Sequence, residues 1–549
     1  AQPARLSLTL ASTKLRNSMK PIKDLNLGFR DAESYKKKEN KELLNKLFLR
    51  THKLDELADT NKYFLIGEKG TGKTAYAVYY SNNNYKNTNS TIKYIRETEY
   101  KKFVELKNTK HLTLTDYTNI WTVILLLLLS EFITSRELKY PLLQKFSKFS
   151  ALKDAIDEFY LNAFSPEILT AINFAEEASL SAKIINKHFQ LSGAEKEKIE
   201  FSESRFQVNL LYIKKHFEDA LSSLSLKENY TLYIDGIDIR PYDIPYNDYL
   251  DCIKGLGNAV WSLNSDFFGN IKDSAGRLKV VLLIRPDIFD SLGLQNQNSK
   301  VRDNSVILDW KTYYPEHRGS ELFKLADKLL AFQQDNKLDD GQAWDYYFPY
   351  ATRNVHYETT DLTSFVSLLR YSLYRPRDIL VILSILKENF IENNRKPDEK
   401  FKEDDLLEPM FTRKYSDYFL GEIKDHLSFY YPAEDYEEFL KFFQYLDGKS
   451  RFTYDDFIGA FDSYLKYFKK NNVAPPGFCR SPDGFLQFLY EMNVIGYVID
   501  TEDKPYFGWC YRERTPSNIS PKVKTGVRYD SHYAVMKALD LGTKFKKSS

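Results

Sequence analysis

An α/β protein, with a parallel sheet wrapped in helices, is what this chain of 549 residues predicts. Three features lead there. Five short, near-continuous apolar runs, at 63–66, 91–95, 230–234, 279–284 and 306–308, have the composition of strands buried on both faces. Stretches of helical periodicity separate them, which calls for right-handed crossovers and a doubly wound sheet. A glycine-rich segment joins the first run to a helix-compatible stretch, giving the order strand, loop, helix.

Residues 1–55 are polar and mostly helical in pattern. The charged run at 36–41 reads as an exposed helix start. The sheet core spans 56–310. Within it, about 135 residues separate the second and third strands, too many for a loop. Most of them, about 117–226, read as a helical insertion with capping residues such as Ser165, Pro166 and Glu167. The greasiest stretch runs from Ile120 and Trp121 to Leu129. Its length of about ten residues is short for a bilayer, so it is expected as a helix buried against the sheet. A helical lid is expected at 311–403. At 404–549, helices precede a strand at 494–500, a polar turn at 501–504 and an aromatic strand at 505–512, which suggests a winged-helix-like domain. Phe485, Phe488 and Leu489 share one helical stripe and read as core.

Lys and Arg number 78 against 76 Asp and Glu, a balance that does not predict wholesale nucleic-acid binding. From Lys504 to Ser549 the count is 10 basic against 3 acidic, a net of +7. Such a tail is more often a solvated face than a binding surface. Arg512, Arg514, Lys522, Lys524 and Arg528 are its candidates for meeting phosphate or a partner. The three cysteines, Cys252, Cys479 and Cys510, are odd in number and widely spaced, which fits a reducing compartment. No apolar signal core opens the sequence. A cytoplasmic protein without a membrane partner is expected.

The chemistry concentrates in Gly67-Glu68-Lys69-Gly70-Thr71-Gly72-Lys73-Thr74, followed by Ala75. It matches G-x-x-x-x-G-K-[ST], whose glycines let several backbone N–H groups curl around one anion at a helix start. Lys73 is expected to reach the β- and γ-phosphates of ATP, and Thr74 to ligate Mg²⁺. The third strand ends in Asp235, a candidate for the Mg²⁺ shell through water. Gly236 lets the chain turn, and Asp238 is placed to polarise an attacking water. The alternative is a strand-end Asp capping the next turn. Arg285 ends the fourth strand, where ligands of parallel sheets lie, and is a candidate to sense a γ-phosphate. The alternative is an arginine bonded to Asp287. Arg375 and Arg377 flank Pro376, a residue suited to the first position of a helix. Either could touch the phosphates from a lid, or both could be solvated.

Together these segments resemble the STAND/AAA-like P-loop ATPases of prokaryotes. A narrower resemblance, to a bacterial P-loop ATPase family, rests on three further segments: a lead-in at 25–33, Leu308-Asp309-Trp310, and a closing segment at 532–541 containing His532. The resemblance implies a nucleotide switch in which ATP binding and slow hydrolysis reorganise a helical lid and a winged helix, often in antiphage defence. It also implies a homo-oligomer or a complex with a separate effector. Gly236 stands where many AAA enzymes have Glu, so turnover is expected to be slow or partner-dependent. Two alternatives stand beside the switch: an ATP-dependent DNA motor or loader using the winged helix, and a nucleotide-binding scaffold without turnover.

Overall fold

The computed structural model describes residues 19–95, 114–137, 150–162, 203–241, 244–294, 297–355, 359–502, 505–515 and 518–542. Ser165, Pro166 and Glu167, Lys504 and the last residues of the basic tail lie outside them. The described residues form two compact units. One falls within His52–Lys69 and Lys73–Leu308, the other within Ala1–Thr51, Gly70–Gly72 and Asp309–Ser549. We call them the sheet unit and the helical unit.

The sheet unit is α/β. Its strands are β1 (Phe64–Ile66), β2 (Thr88–Tyr94), β3 (Asn229–Asp235), β4 (Leu278–Ile284) and β5 (Ser305–Ile307), in the order β2-β3-β4-β1-β5. Every pairing is parallel. β1, β3 and β4 are almost wholly buried, as strands covered on both faces must be. β2 lies at the edge and begins with polar Thr88, Asn89 and Ser90. An apolar-run reading therefore starts that strand three residues late. Because β4 separates β1 from β3, the chain ends of three strands converge around the segment that follows β1.

The apolar stretch around Leu125 belongs to a longer helix than expected, Leu114–Glu137. Among the described residues, its portion Tyr117–Glu137 is long and apolar enough to cross a membrane. Its burial gives it a different role: Trp121 and residues 123–129 are essentially inaccessible. It packs on the helix Tyr246–Ser262, where Gly255 permits close contact, since a Cβ there would lie 2.5 Å from Tyr117 Cβ. The Trp121 indole N–H donates to Cys252 O (3.2 Å). A second buried polar side chain, Lys279 on β4, donates to Leu57 O (2.6 Å) and Asp59 O (2.9 Å), closing the last turn of the helix His52–Leu57.

The helical unit holds the helices Glu321–Ala331, Ser364–Tyr371, Pro376–Glu392 and Pro409–Tyr430, with Pro376 at the first helical position. Its later part builds an antiparallel sheet from β6 (Arg451–Thr453), β7 (Ile495–Ile499), β8 (Tyr506–Gly508) and β9 (Arg528–Ser531), in the order β6-β9-β7-β8. The helices Tyr454–Asn471 and Pro482–Glu491 lie between β6 and β7 in sequence. Phe485, Phe488 and Leu489 are buried, and the two phenylalanines pack in an aromatic core with Phe439, Phe442, Phe457 and Phe478. All three cysteines are buried and unbridged.

Candidate functional site

β1 hands the chain to the glycine segment at the carboxyl edge of the sheet, where the Gly67 N–H donates to Ile284 O (3.1 Å). Gly70 and Gly72 hold φ of +87° and +98°, values that L side chains rarely adopt. A Cβ at Gly72 would meet nothing within 4 Å, so this face of the loop is open space. The helix Lys73–Asn82 starts immediately afterwards, with its positive end at the loop. Gly67 is buried, while Glu68, Lys69 and Ala75 are half-buried beside it.

Lys73 is buried, and its ammonium donates to Gly67 O (2.8 Å) and Glu68 O (3.4 Å). Asp238 Oδ2 lies 3.2 Å from the same Nζ. Thr74 Oγ1 donates to Asp235 Oδ2 (2.7 Å), and the Gly236 N–H donates to Asp235 Oδ1 (2.8 Å). Burial pushes the Asp235 carboxyl pKa up, against the hydrogen bond from Thr74. Thus four side chains that the sequence singled out, Lys73, Thr74, Asp235 and Asp238, meet at one sheet edge.

Gly236 has a definite reason for its identity. Its φ is +92°, and a Cβ there would lie 2.6 Å from Ile95 O, because the end of β2 runs alongside. No side chain fits at 236 without the backbone moving, so a carboxylate there is sterically excluded. Asp238 is the next acidic group. The loop bearing it is pinned by Tyr249, whose hydroxyl donates to Ile237 O (2.6 Å) and has Ile239 O 3.2 Å away. Sequence reasoning missed Tyr249, a buried helix tyrosine that carries no motif.

Arg285 does end β4, between β1 and β3, but its side chain is buried and committed. Its guanidinium grips Asp287, with Nε to Oδ1 at 2.9 Å and Nη2 on Oδ2. The guanidinium is thus found on the alternative partner that the sequence offered, two residues along. A proline follows Arg285 and starts the helix Pro286–Ser291, which brings Asp287 round to it.

Arg375 and Arg377 belong to the helical unit, which also includes the loop tip Gly70–Gly72. There the Arg377 N–H donates to Gly70 O (3.3 Å), and the Trp310 indole N–H donates to Thr71 O (2.9 Å). Neither arginine is simply solvated. Arg375 is paired with Asp378, and both approach Glu422. Of the basic residues nearer the end of the chain, Arg512 is engaged internally. It donates to Tyr511 Oη (3.1 Å) and Tyr314 Oη (3.0 Å) and lies over the Tyr314, Tyr374 and Tyr511 rings. Arg514 donates to Ile519 O (2.6 Å). Lys522, Lys524 and Arg528 are exposed.

The residues suit a Mg²⁺–phosphate ligand. Mg²⁺ keeps most of its waters and needs few protein donors, here one hydroxyl and one carboxylate in contact. Asp238 Oδ1 is a buried oxygen without a hydrogen-bond partner. Among the described residues, no cluster of three or more His, Cys, Asp or Glu has the arrangement of a dedicated metal cage. No protein-family model, no curated protein and no solved structure matches this chain.

Proposed function

We propose that this protein is a Mg-ATP-binding P-loop ATPase that hydrolyses slowly and acts as a conformational switch. The observation that carries the reading is the Thr74–Asp235 contact at 2.7 Å, made across two non-adjacent strands beside the buried ammonium of Lys73. In this reading the amides of residues 67–75 cradle the phosphates, and Lys73 exchanges carbonyl oxygens and Asp238 for phosphate oxygens. Thr74 and Asp235 hold Mg²⁺, which supplies charge neutralisation when bound. Phosphoryl transfer asks mainly for positioning and positive charge. Asp238 is the residue left to orient water, and its tie to Lys73 makes slow turnover the expectation.

The finer features of the resemblance belong here as well. The succession β6, two helices, β7 and β9, with β9 between β6 and β7, supports a winged-helix-like reading of the later part. Its helix Pro482–Glu491, just before β7, carries no Lys or Arg. Its Gln487 amide is occupied by Pro521 O (3.0 Å) and the Val523 N–H (2.9 Å). A helix without cations and covered by its own chain is unsuited to a major groove, which favours a packing module over a DNA motor. A cytoplasmic regulator in antiphage defence, as a homo-oligomer or with a separate effector, completes the proposal. A scaffold without turnover is the second reading. It is favoured by the excluded side chain at 236 and by the engagement of Asp238 with Lys73.

The test is thermal melting with and without Mg-ATP. A one-site ligand near 100 times its Kd adds about 2.7 kcal/mol of stability. Lys73→Ala is expected to abolish that rise, and an unchanged rise removes the proposal. Asp238→Ala separates the two readings: the switch keeps binding and loses turnover, whereas the scaffold shows no turnover to lose.

A further inference from the structure

Two arginines flank Pro376, and the helical unit holds them in opposite ways. Arg375 is buried and locked. Its Nε and Nη2 donate to Asp378 (2.9 and 2.7 Å), a carboxylate that also accepts from Tyr418 Oη (3.0 Å) and the Leu373 N–H (2.8 Å). Arg377 has a fixed backbone and a loosely held head. Its N–H is bonded to Gly70 O, and a Cβ at Gly70 would lie 3.1 Å from Arg377 Cβ. Its side chain is 29% exposed, with Nη1 across a 3.7 Å gap from Glu422 Oε1. Glu422 comes from the helix Pro409–Tyr430, is 14% exposed, and has its other oxygen 3.6 Å from Arg375 Nη1.

Resting on the nucleotide reading above, we propose that Glu422 is a competing anion that holds Arg377 until a phosphate oxygen at the loop tip takes it, and so restrains affinity for ATP. A guanidinium prefers a multiply charged phosphate that it can grip by two N–H groups over a single carboxylate at 3.7 Å. The half-exposed pair is weak enough to break. Arg375 stays with Asp378 when Glu422 is neutralised, so the helix start keeps its anchor. Glu422 acts through Arg377 and is therefore a positioning residue.

The test is equilibrium dialysis of full-length protein with labelled Mg-ATP and ADP. Glu422→Gln is expected to tighten ATP roughly two- to fivefold, the worth of a partly exposed ion pair, and ADP by less. Arg377→Gln is expected to weaken ATP binding, and in the double variant the gain from Glu422→Gln disappears. Unchanged or weaker ATP binding by folded Glu422→Gln overturns the proposal, as does a gain that survives in the Arg377→Gln background. Wild-type protein that takes up no ATP, or a Lys73→Ala variant that binds equally well, removes the nucleotide reading itself. Wild-type binding that depends on Lys73 but ignores Glu422 removes the competition alone. Should Glu422→Gln melt early, Arg377→Gln carries the test, since an ATP affinity it leaves unchanged is equally fatal.

Discussion

Both units keep cations out of water, each unit burying a guanidinium against a carboxylate two or three residues along, Arg285 on Asp287 and Arg375 on Asp378, but their other buried cations are held differently. In the sheet unit, Lys73 and Lys279 donate to backbone carbonyls, at Gly67 and Glu68 for one, with Asp238 beside it, and at Leu57 and Asp59 for the other. In the helical unit, Arg512 rests among three tyrosine rings and two of their hydroxyls, and Arg375 is gripped by a buried carboxylate. A carbonyl-lined ammonium is a point charge whose ligands can be exchanged. A guanidinium packed between rings gains from its flat faces as well as its donors and is bound to its surroundings. The contrast separates ammonium groups held by carbonyl oxygens from guanidinium groups fixed by rings and by a buried carboxylate.

The sharpest break of that contrast is at Gly236. Alanine there must adopt a positive φ and meet Ile95 O, which is expected to cost the sheet unit roughly 2–4 kcal/mol, read by urea unfolding. A loss under about 1 kcal/mol would mean that the turn is free to move and that a Glu-like side chain is not excluded.

His532 probes the helical unit. It is fully buried, stacks on Phe419, and its Nδ1 accepts from the Ala534 N–H (3.2 Å). Burial, reinforced by the charges of Arg512 and Arg375, pushes its pKa down to about 3. Between that value and the ordinary one, near 6.5, the unfolded chain binds a proton that the folded chain refuses. Stability therefore falls with acidification through this window, by up to about 1.4 kcal/mol per pH unit. His532→Gln is expected to flatten the slope, measured as melting temperature against pH.

The smallest effect is at Thr453, whose hydroxyl accepts from the Asp456 N–H (3.2 Å) while Asp456 accepts from the Thr453 N–H (2.9 Å). Removing this box with Thr453→Ala is expected to cost about 1 kcal/mol and to leave nucleotide binding unchanged.

Much of the sheet unit was legible because a strand buried on both faces has to be apolar throughout. The β1, β3, β4 and β5 runs gave themselves away by composition, and β2 lost its polar start because an edge strand tolerates Asn89 and Ser90. The meeting of Lys73, Thr74 and Asp235 was legible because a G-x-x-x-x-G-K-[ST] segment after one strand and an Asp at the end of another both fall at the carboxyl edge of a parallel sheet. What stayed hidden depends on neighbours remote in sequence. The exclusion of a side chain at 236 comes from Ile95, and the hold on Arg377 comes from Glu422, a mid-helix residue with no motif of its own. Arg285 marks the intermediate case: its place at the strand end and the bond to Asp287 were both readable, and the turn at Pro286 is what brings that bond about.

The strand order has a consequence for synthesis on the ribosome. A nascent chain that has not yet extruded Leu278–Ile284 possesses the strand leading into the glycine segment and the strand ending in Asp235, with nothing to stitch them side by side. Such an intermediate would carry unsatisfied edges on both strands. Only when the fourth strand enters between them can Thr74 find its carboxylate, so that contact forms only after about half of the chain has been made.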